Sequence, residues 1–166
     1  MSSVIVRPAR TVDVRAIRSF IDAYSPDGRL LSKATVTLFE DIQEFVVAEQ
    51  AGIVVGCGAL HVIWEDLAEV RTLAVDPTRA GQGIGTAILT DLMDRARAVG
   101  VSRVFCLTFA VPFFERHGFV EIDDTPIDHD VYEQLLQSYD EGVAEFLGLE
   151  RVKPNTLGNH RMLATL

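Results

Sequence analysis

The sequence predicts an α/β fold of the α+β type, a mixed central sheet flanked by helices, in a single domain over residues 1–166. Three observations carry that expectation. Three β-type runs joined by short turns occupy residues 45–75, and such hairpins demand antiparallel pairing. A long amphipathic helix over 83–99 then separates the third of these runs from a further one at 104–108, a crossover that allows parallel pairing, so the sheet is mixed. The chain has 166 residues, 48% of them apolar, which suits one compact core without cross-links.

The elements follow in order. Residues 4–7 form a short β run stopped by Pro8. Thr11 is placed to cap a helix with Asp13 in its first turn, and Val14, Ile17, Phe20 and Ile21 repeat at helical spacing. Ser25-Pro26-Asp27-Gly28 marks a turn, and a second helix fits 34–42 with Leu38, Phe39 and Ile42 on one side. Strands are expected at 45–49, 53–62 and 67–75, with turns at Gln50-Ala51-Gly52 and Glu65-Asp66, and with Asp76-Pro77 closing the third. The 83–99 helix turns Ile84, Ala87, Ile88, Leu92 and Ala96 inward, and Gly100 stops it. A strand at 104–108, a short helix opened by Pro112 and closed by Gly118, and a strand at 119–122 come next. The acidic stretch 123–150 reads as mainly helical, its charges a solvated face, and 161–166 as a last strand. The chemistry-bearing part is thus about 4–122, followed by a divergent tail.

Charge and composition narrow the function. A net charge of −9 and an isoelectric point near 4.8 argue against a nucleic-acid partner, which calls for a basic face. A small anionic ligand is still allowed, since a local pocket can be positive on an acidic protein. Cys57 and Cys106 both sit in apolar runs and read as buried, reduced thiols. No basic segment followed by an apolar run opens the chain, and no apolar stretch reaches membrane-spanning length, so the expectation is a cytoplasmic protein with no membrane partner. His61, His117, His129 and His160 lack ligand spacing, so no metal is expected. There is no nucleophile elbow for a Ser-His-Asp triad.

The richest segment is Asp76-Pro77-Thr78-Arg79-Ala80-Gly81-Gln82-Gly83-Ile84-Gly85-Thr86, which runs from a strand into the long helix. Its alternate glycines remove Cβ atoms where a backbone must approach a ligand. The N–H groups at the helix start then face an anion, with the helix dipole in its favour. A pyrophosphate fits, and Arg79 could add charge. The loop lacks the Gly-Lys-Ser/Thr of a Walker loop. It reads G-x-G-x-G after a fourth strand, not G-x-G-x-x-G after a first.

Leu73-Ala74-Val75-Asp76-Pro77 followed by Gly81-Gln82-Gly83-Ile84-Gly85 resembles the acetyl-CoA motif of the GNAT N-acetyltransferase superfamily. Gly83 and Gly85 match that motif. Its first position, commonly Arg or Gln, is Ala80 here, with Arg79 one residue early. Pro112-Phe113-Phe114-Glu115-Arg116-His117-Gly118-Phe119 resembles the superfamily's later helix, where Phe114 replaces the usual Tyr that protonates the departing thiolate. The resemblance implies acetyl-CoA as acetyl donor, held by Leu73, Ala74, Val75, Arg79, Ala80, Gly81, Gln82, Gly83, Ile84, Gly85, Thr86, Phe113, Phe114 and Arg116. Leu73 and Val75 would pair their backbones with the pantetheine arm as an added strand does.

Over the first 120 residues the likeness is closer. Gly28-Arg29-Leu30-Leu31-Ser32-Lys33, Val55-Gly56-Cys57-Gly58-Ala59-Leu60 and Trp64-Glu65-Asp66-Leu67-Ala68-Glu69-Val70-Arg71-Thr72-Leu73 look like the stand-alone N-acetylglutamate synthases. Residues 42–49, Leu107-Thr108 and Phe113-Phe114-Glu115-Arg116 do too. That resemblance implies N-acetylation of the α-amine of glutamate or glutamine at the start of arginine biosynthesis. The kinase-like domain of the longer synthases is missing, so arginine feedback through it is not implied. The substrate carboxylates would meet Arg29, Lys33 and Arg71, with Thr72 adjoining. Glu69 would be the general base, and a backbone N–H near Leu73 would face the thioester oxygen. A GNAT enzyme for another amine, such as a polyamine or a protein N-terminus, and a non-catalytic acetyl-CoA-binding domain are the alternatives. A homodimer is left open.

Overall fold

The computed structural model describes residues 2–24, 33–148 and 159–166. Seven strands form one mixed sheet in the order β1-β2-β3-β4-β5-β7-β6, with helices flanking it. Its residues cluster into two compact units, Met1–His61 with Val70–Val99, and Val62–Glu69 with Gly100–Leu166.

In the first unit, β1 (Val4–Pro8) pairs antiparallel with β2 (Phe45–Gln50). The missing N–H of Pro8 is tolerated because β1 lies at the end of the strand order. β2 turns into β3 (Ile53–Trp64) through Ala51 at φ 52° and Gly52 at φ 78°, the two positive values that a tight hairpin with the right twist requires. β4 (Leu67–Val75) matches the expected strand in both bounds.

The start of the first helix departs from expectation. Thr11 does not cap it. A 3-10 turn, Thr11–Asp13, precedes α1 (Val14–Tyr24), and Arg10 holds the cap position. The buried Asp13 carboxylate accepts from the Arg10 N–H at 2.7 Å and from two Arg7 guanidinium nitrogens at 2.9 and 3.0 Å. Those Arg7 bonds hold Asp13 below the usual carboxylate range. The expected inner face is borne out, with Val14, Ile17, Phe20 and Ile21 buried. They pack with Leu38, Phe45, Val47, Cys57, Ala59 and Ala74. α2 (Thr35–Glu40) is shorter than expected, because Asp41 leaves helical torsions and a 3-10 turn, Ile42–Glu44, follows. Phe39, expected on the inner side, is 46% exposed.

α3 (Ile84–Val99) buries Ile84, Ile88, Leu89, Leu92, Met93 and Ala96. It can lie this close because β3 offers it Gly56 and Gly58. A Cβ at Gly58 would stand 2.8 Å from Ile88 Cγ2 and 3.0 Å from Leu92 Cδ1. One at Gly56 would stand 2.9 Å from Ile88 Cδ1 and 3.0 Å from the Ala74 carbonyl. Both fall below ordinary contact distance, so a side chain at either position would force Ile88 and its neighbours to shift.

In the second unit, β4 pairs in parallel with β5 (Arg103–Thr108), matching Leu67 to Arg103, Ala68 to Val104 and Glu69 to Phe105. α4 (Val111–Glu115) leads to β6 (Val120–Ile122). The acidic tail forms two short helices, α5 (His129–Leu135) and α6 (Glu141–Leu147). Its charges are not all a solvated face, since Asp128 and Asp140 cap these helices by accepting from the Val131 and Val143 N–H groups. The last strand, β7 (His160–Thr165), inserts antiparallel between β5 and β6. Leu135, Val143, Phe146 and Leu147 cover Ile63, Leu67 and Phe105. The Phe105 and Phe146 rings meet edge to face at 4.8 Å.

Candidate active site

The first unit carries a candidate anion cradle. Asp76 leaves β4 with its N–H bonded to the Val55 carbonyl at 2.8 Å. Its carboxylate caps the turn Pro77–Arg79 by accepting from the Thr78 N–H at 3.0 Å and hydroxyl at 2.8 Å. Gly81 and Gly83 then take φ of 79° and 80°, which side-chain-bearing residues rarely adopt. A Cβ at either would meet no protein atom within 4 Å, so the torsion, not crowding from the protein, demands glycine there. The first helical bond of α3 runs from the Ala87 N–H to the Gly83 carbonyl at 3.1 Å. The N–H groups of Ile84, Gly85 and Thr86 therefore precede the helical ladder and lie at the positive end of a 16-residue helix. Ile84 is buried and anchors this start, whereas Ala80, Gly81, Gln82, Gly83 and Thr86 are exposed. Such a cradle fits a pyrophosphate.

Arg79 is the cradle's nearest cation in sequence, and it is already engaged. It donates to Gln50 Oε1 at 2.6 Å and lies 3.7 Å from Asp76. The Val75 carbonyl likewise accepts from the Tyr24 hydroxyl at 2.7 Å, which ties α1 to the end of β4.

Upstream in β4 the strand carries chemistry and an irregularity. Thr72 has φ 54°, an outlier for a β-branched residue. Cys57, on β3, donates its thiol proton to the Thr72 carbonyl at 3.4 Å. Leu73 is half-buried, with its Cδ1 next to Gly58. Arg71, in the same strand, is a buried cation at 8% exposure.

Glu69 belongs to the second unit and is 4% exposed, a buried carboxylate of the kind seldom kept without a use. In register it stands beside Phe105, which stands beside Leu163. Arg161, two residues before Leu163, lies on the same face, its guanidinium 5.8 Å from the Phe105 ring centre and bonded to the Phe146 carbonyl at 2.8 Å. Burial pulls the Arg161 guanidinium down, while the negative charges of Glu69, Asp124 and Glu145 push it back up. Burial foremost, and then Glu69, raises the Cys106 thiol well above its usual value, so Cys106 stays protonated. Both cysteines are buried free thiols, as expected from the sequence.

On α4, Phe114 is 4% exposed and packs edge to face against Phe113 and Phe119, each at 5.1 Å. Phe113 is half-buried, and its carbonyl lies 2.8 Å from His117 Nδ1. Arg116 is exposed. Of the expected carboxylate binders, Arg29 lies outside the described residues. Lys33 is half-buried, and its carbonyl accepts from the Arg18 guanidinium. Among the described residues, no three His, Cys, Asp or Glu side chains stand together to hold a metal ion, and no helix is long and apolar enough to cross a membrane.

Residues 15–119 match the acetyltransferase (GNAT) family. The chain belongs to the GNAT acetyltransferase family. Within the family it is 55% identical to the amino-acid acetyltransferase of Mycobacterium tuberculosis, over 98% of this chain and 94% of that one. It is 38% identical to the amino-acid acetyltransferase of Ralstonia nicotianae, over 74% of this chain but only 28% of that longer protein. The crystal structure of Rv2747 from Mycobacterium tuberculosis in complex with CoA superposes with a TM-score of 0.94 at 55% identity, covering 98% and 99% of the two chains. The N-acetylglutamate synthase of Neisseria gonorrhoeae, complexed with coenzyme A and N-acetyl-glutamate, gives 0.79 at 25% identity, covering all of this chain and 36% of that one. This GNAT protein is an enzyme that uses acetyl-CoA as donor, and the reading as a non-catalytic acetyl-CoA-binding domain is set aside.

Sequence reasoning missed several neighbours of these residues. Arg161 was seen only as the edge of a last strand, because nothing local says that β7 inserts beside β5. Tyr24 had no visible partner 51 positions away. Gly56-Cys57-Gly58 did carry a signal, since glycines inside a strand mark close backbone approach.

Proposed function

We propose that this enzyme transfers the acetyl group of acetyl-CoA to the α-amine of L-glutamate or L-glutamine, as the first step of arginine biosynthesis. The observation that carries the reading is a pair of buried charges two residues apart on β4, Glu69 and Arg71, directly upstream of the acetyl-CoA segment. A carboxylate and a guanidinium suit an acceptor that brings both an ammonium and a carboxylate. The 55% identity with a full-length amino-acid acetyltransferase supports the same acceptor class.

Acetyl-CoA, when bound, supplies an activated acetyl thioester. The Gly81–Gly83 turn and the first N–H groups of α3 receive its pyrophosphate. Leu73, Ala74 and Val75 offer backbone groups to the pantetheine arm. Arg71 draws in the substrate carboxylate, with Thr72, Lys33 and Arg29 contributing around the side chain. Glu69 takes the ammonium proton, directly or through a water, and so frees the lone pair for attack. The N–H of Leu73 meets the negative charge that develops on the thioester oxygen. Phe114 has no proton to give, so position 114 plays no acid role.

Arg71→Ala tests the acceptor class. With glutamate or glutamine, the amino-acid KM is expected to rise by about 10- to 100-fold, the scale of one charge-assisted carboxylate contact. The acetyl-CoA KM is expected to stay unchanged. An unaltered amino-acid KM, or efficient polyamine turnover by both proteins, contradicts the assignment and favours another amine.

A further inference from the structure

We infer that Cys57 is a positioning residue for acetyl transfer, its thiol clamping the irregular turn of β4 at the Thr72–Leu73 peptide. The inference rests on the reading that the Leu73 N–H serves the thioester oxygen. Cys57 lies in β3, opposite Val47 of β2, and is wholly buried. Its S–H donates to the Thr72 carbonyl at 3.4 Å. That carbonyl and the Leu73 N–H belong to one planar peptide unit, so holding the one orients the other.

The local backbone explains why a clamp is needed. A threonine at φ 54° is strained by about 1–3 kcal/mol and persists only where its surroundings over-determine it. Such a kink interrupts the strand ladder, and the polar groups beside it need other partners. A thiol meets both requirements. It is as small and apolar as the core demands, yet it carries one donor and one acceptor. Burial pushes the Cys57 thiol up to about 12, so the donated proton stays in place over the working pH range of an enzyme. Gly56 and Gly58 on either side keep α3 pressed against the same stretch, so the clamp works against a rigid backing.

The test compares Cys57→Ala, Cys57→Ser and Val47→Ala for kcat, acetyl-CoA KM and Tm, and records the S–H stretching band of the wild-type protein against Cys57→Ala. The clamp predicts that Cys57→Ala loses about 10- to 100-fold in kcat, the scale of a slight misplacement of a catalytic group, with acetyl-CoA KM unchanged. Cys57→Ser, which still donates, keeps most of that kcat. Val47→Ala, a comparable loss of packing in the same core, lowers Tm but not kcat. The Cys57 S–H band lies at a hydrogen-bonded frequency. Full kcat in Cys57→Ala, an equal loss of kcat in Val47→Ala, or an S–H band at the free-thiol position overturns the inference. If the wild-type protein acetylates no amine at all, the reading of Leu73 fails, and the S–H band still decides whether the clamp exists. The same band decides if Cys57→Ala does not fold.

Discussion

Glu69→Gln is expected to lower kcat by about 100- to 10,000-fold and to leave acetyl-CoA binding intact. The magnitude is that of removing a positioned general base. The separation of effects follows from the architecture. Glu69 is in the β4 segment that pairs with β5, while the cradle is built from the Gly81–Gly83 turn and the start of α3. Glutamine keeps the shape and burial of glutamate but cannot accept a proton. The pH profile supplies the second readout. A general base gives the wild-type kcat/KM a pH-dependent limb, because only its unprotonated form can act. In Glu69→Gln that limb disappears, so residual activity follows only the ionisation of the free amine. A variant with an unchanged pH profile removes Glu69 from the mechanism, whatever its kcat. Stopped-flow or steady-state release of CoA thiol from about pH 5 to 9 provides the profile.

Gly83→Val is expected to weaken acetyl-CoA binding by about an order of magnitude or more, an effect far larger than that on kcat at saturating donor. Gly83 sits at φ 80°, where a residue with a Cβ is strained by about 1–2 kcal/mol. That strain does not come from crowding, since a Cβ there meets no protein atom within 4 Å. The folded protein can relieve it only by rotating the backbone. Rotation at Gly83 swings the N–H groups of Ile84, Gly85 and Thr86 away from the position where they face the pyrophosphate. A valine also places a branched side chain on the open side of the turn. Isothermal titration with acetyl-CoA reads the effect directly, and unchanged affinity places the phosphate site elsewhere.

Most of the architecture was legible because it rests on periodicity and punctuation. The β4 strand, bounded by Glu65-Asp66 and Asp76-Pro77, was read to the residue. α3 was read to within one residue because glycines stand at both of its ends. The glycine turn before α3 was legible for the same reason, and Gly81 and Gly83 take the positive φ that such a turn calls for. What stayed hidden depends on pairings distant in sequence. The insertion of β7 between β5 and β6 brings Arg161 onto the face of Glu69 from 92 positions away, and a strand pattern does not announce its neighbours. The positive φ at Thr72 was invisible because threonine is a strand former and gives no hint of left-handed backbone. The acidic tail was misread in part, because Asp128 and Asp140 are exposed enough to resemble a solvated face while each holds a helix start. Thr11 was misplaced as a cap because Arg7, one strand away, draws Asp13 into a buried pair and moves the helix start.

The measurement that bears most directly on the central claim is acceptor-dependent release of CoA thiol by the purified chain. The panel contains acetyl-CoA with glutamate, glutamine, other amino acids, a polyamine and a short peptide. The account predicts that glutamate or glutamine gives the highest kcat/KM, on the order of tenfold or more above amines that lack the α-carboxylate. Preferential turnover of the polyamine or the peptide, with neither amino acid acetylated, would contradict it.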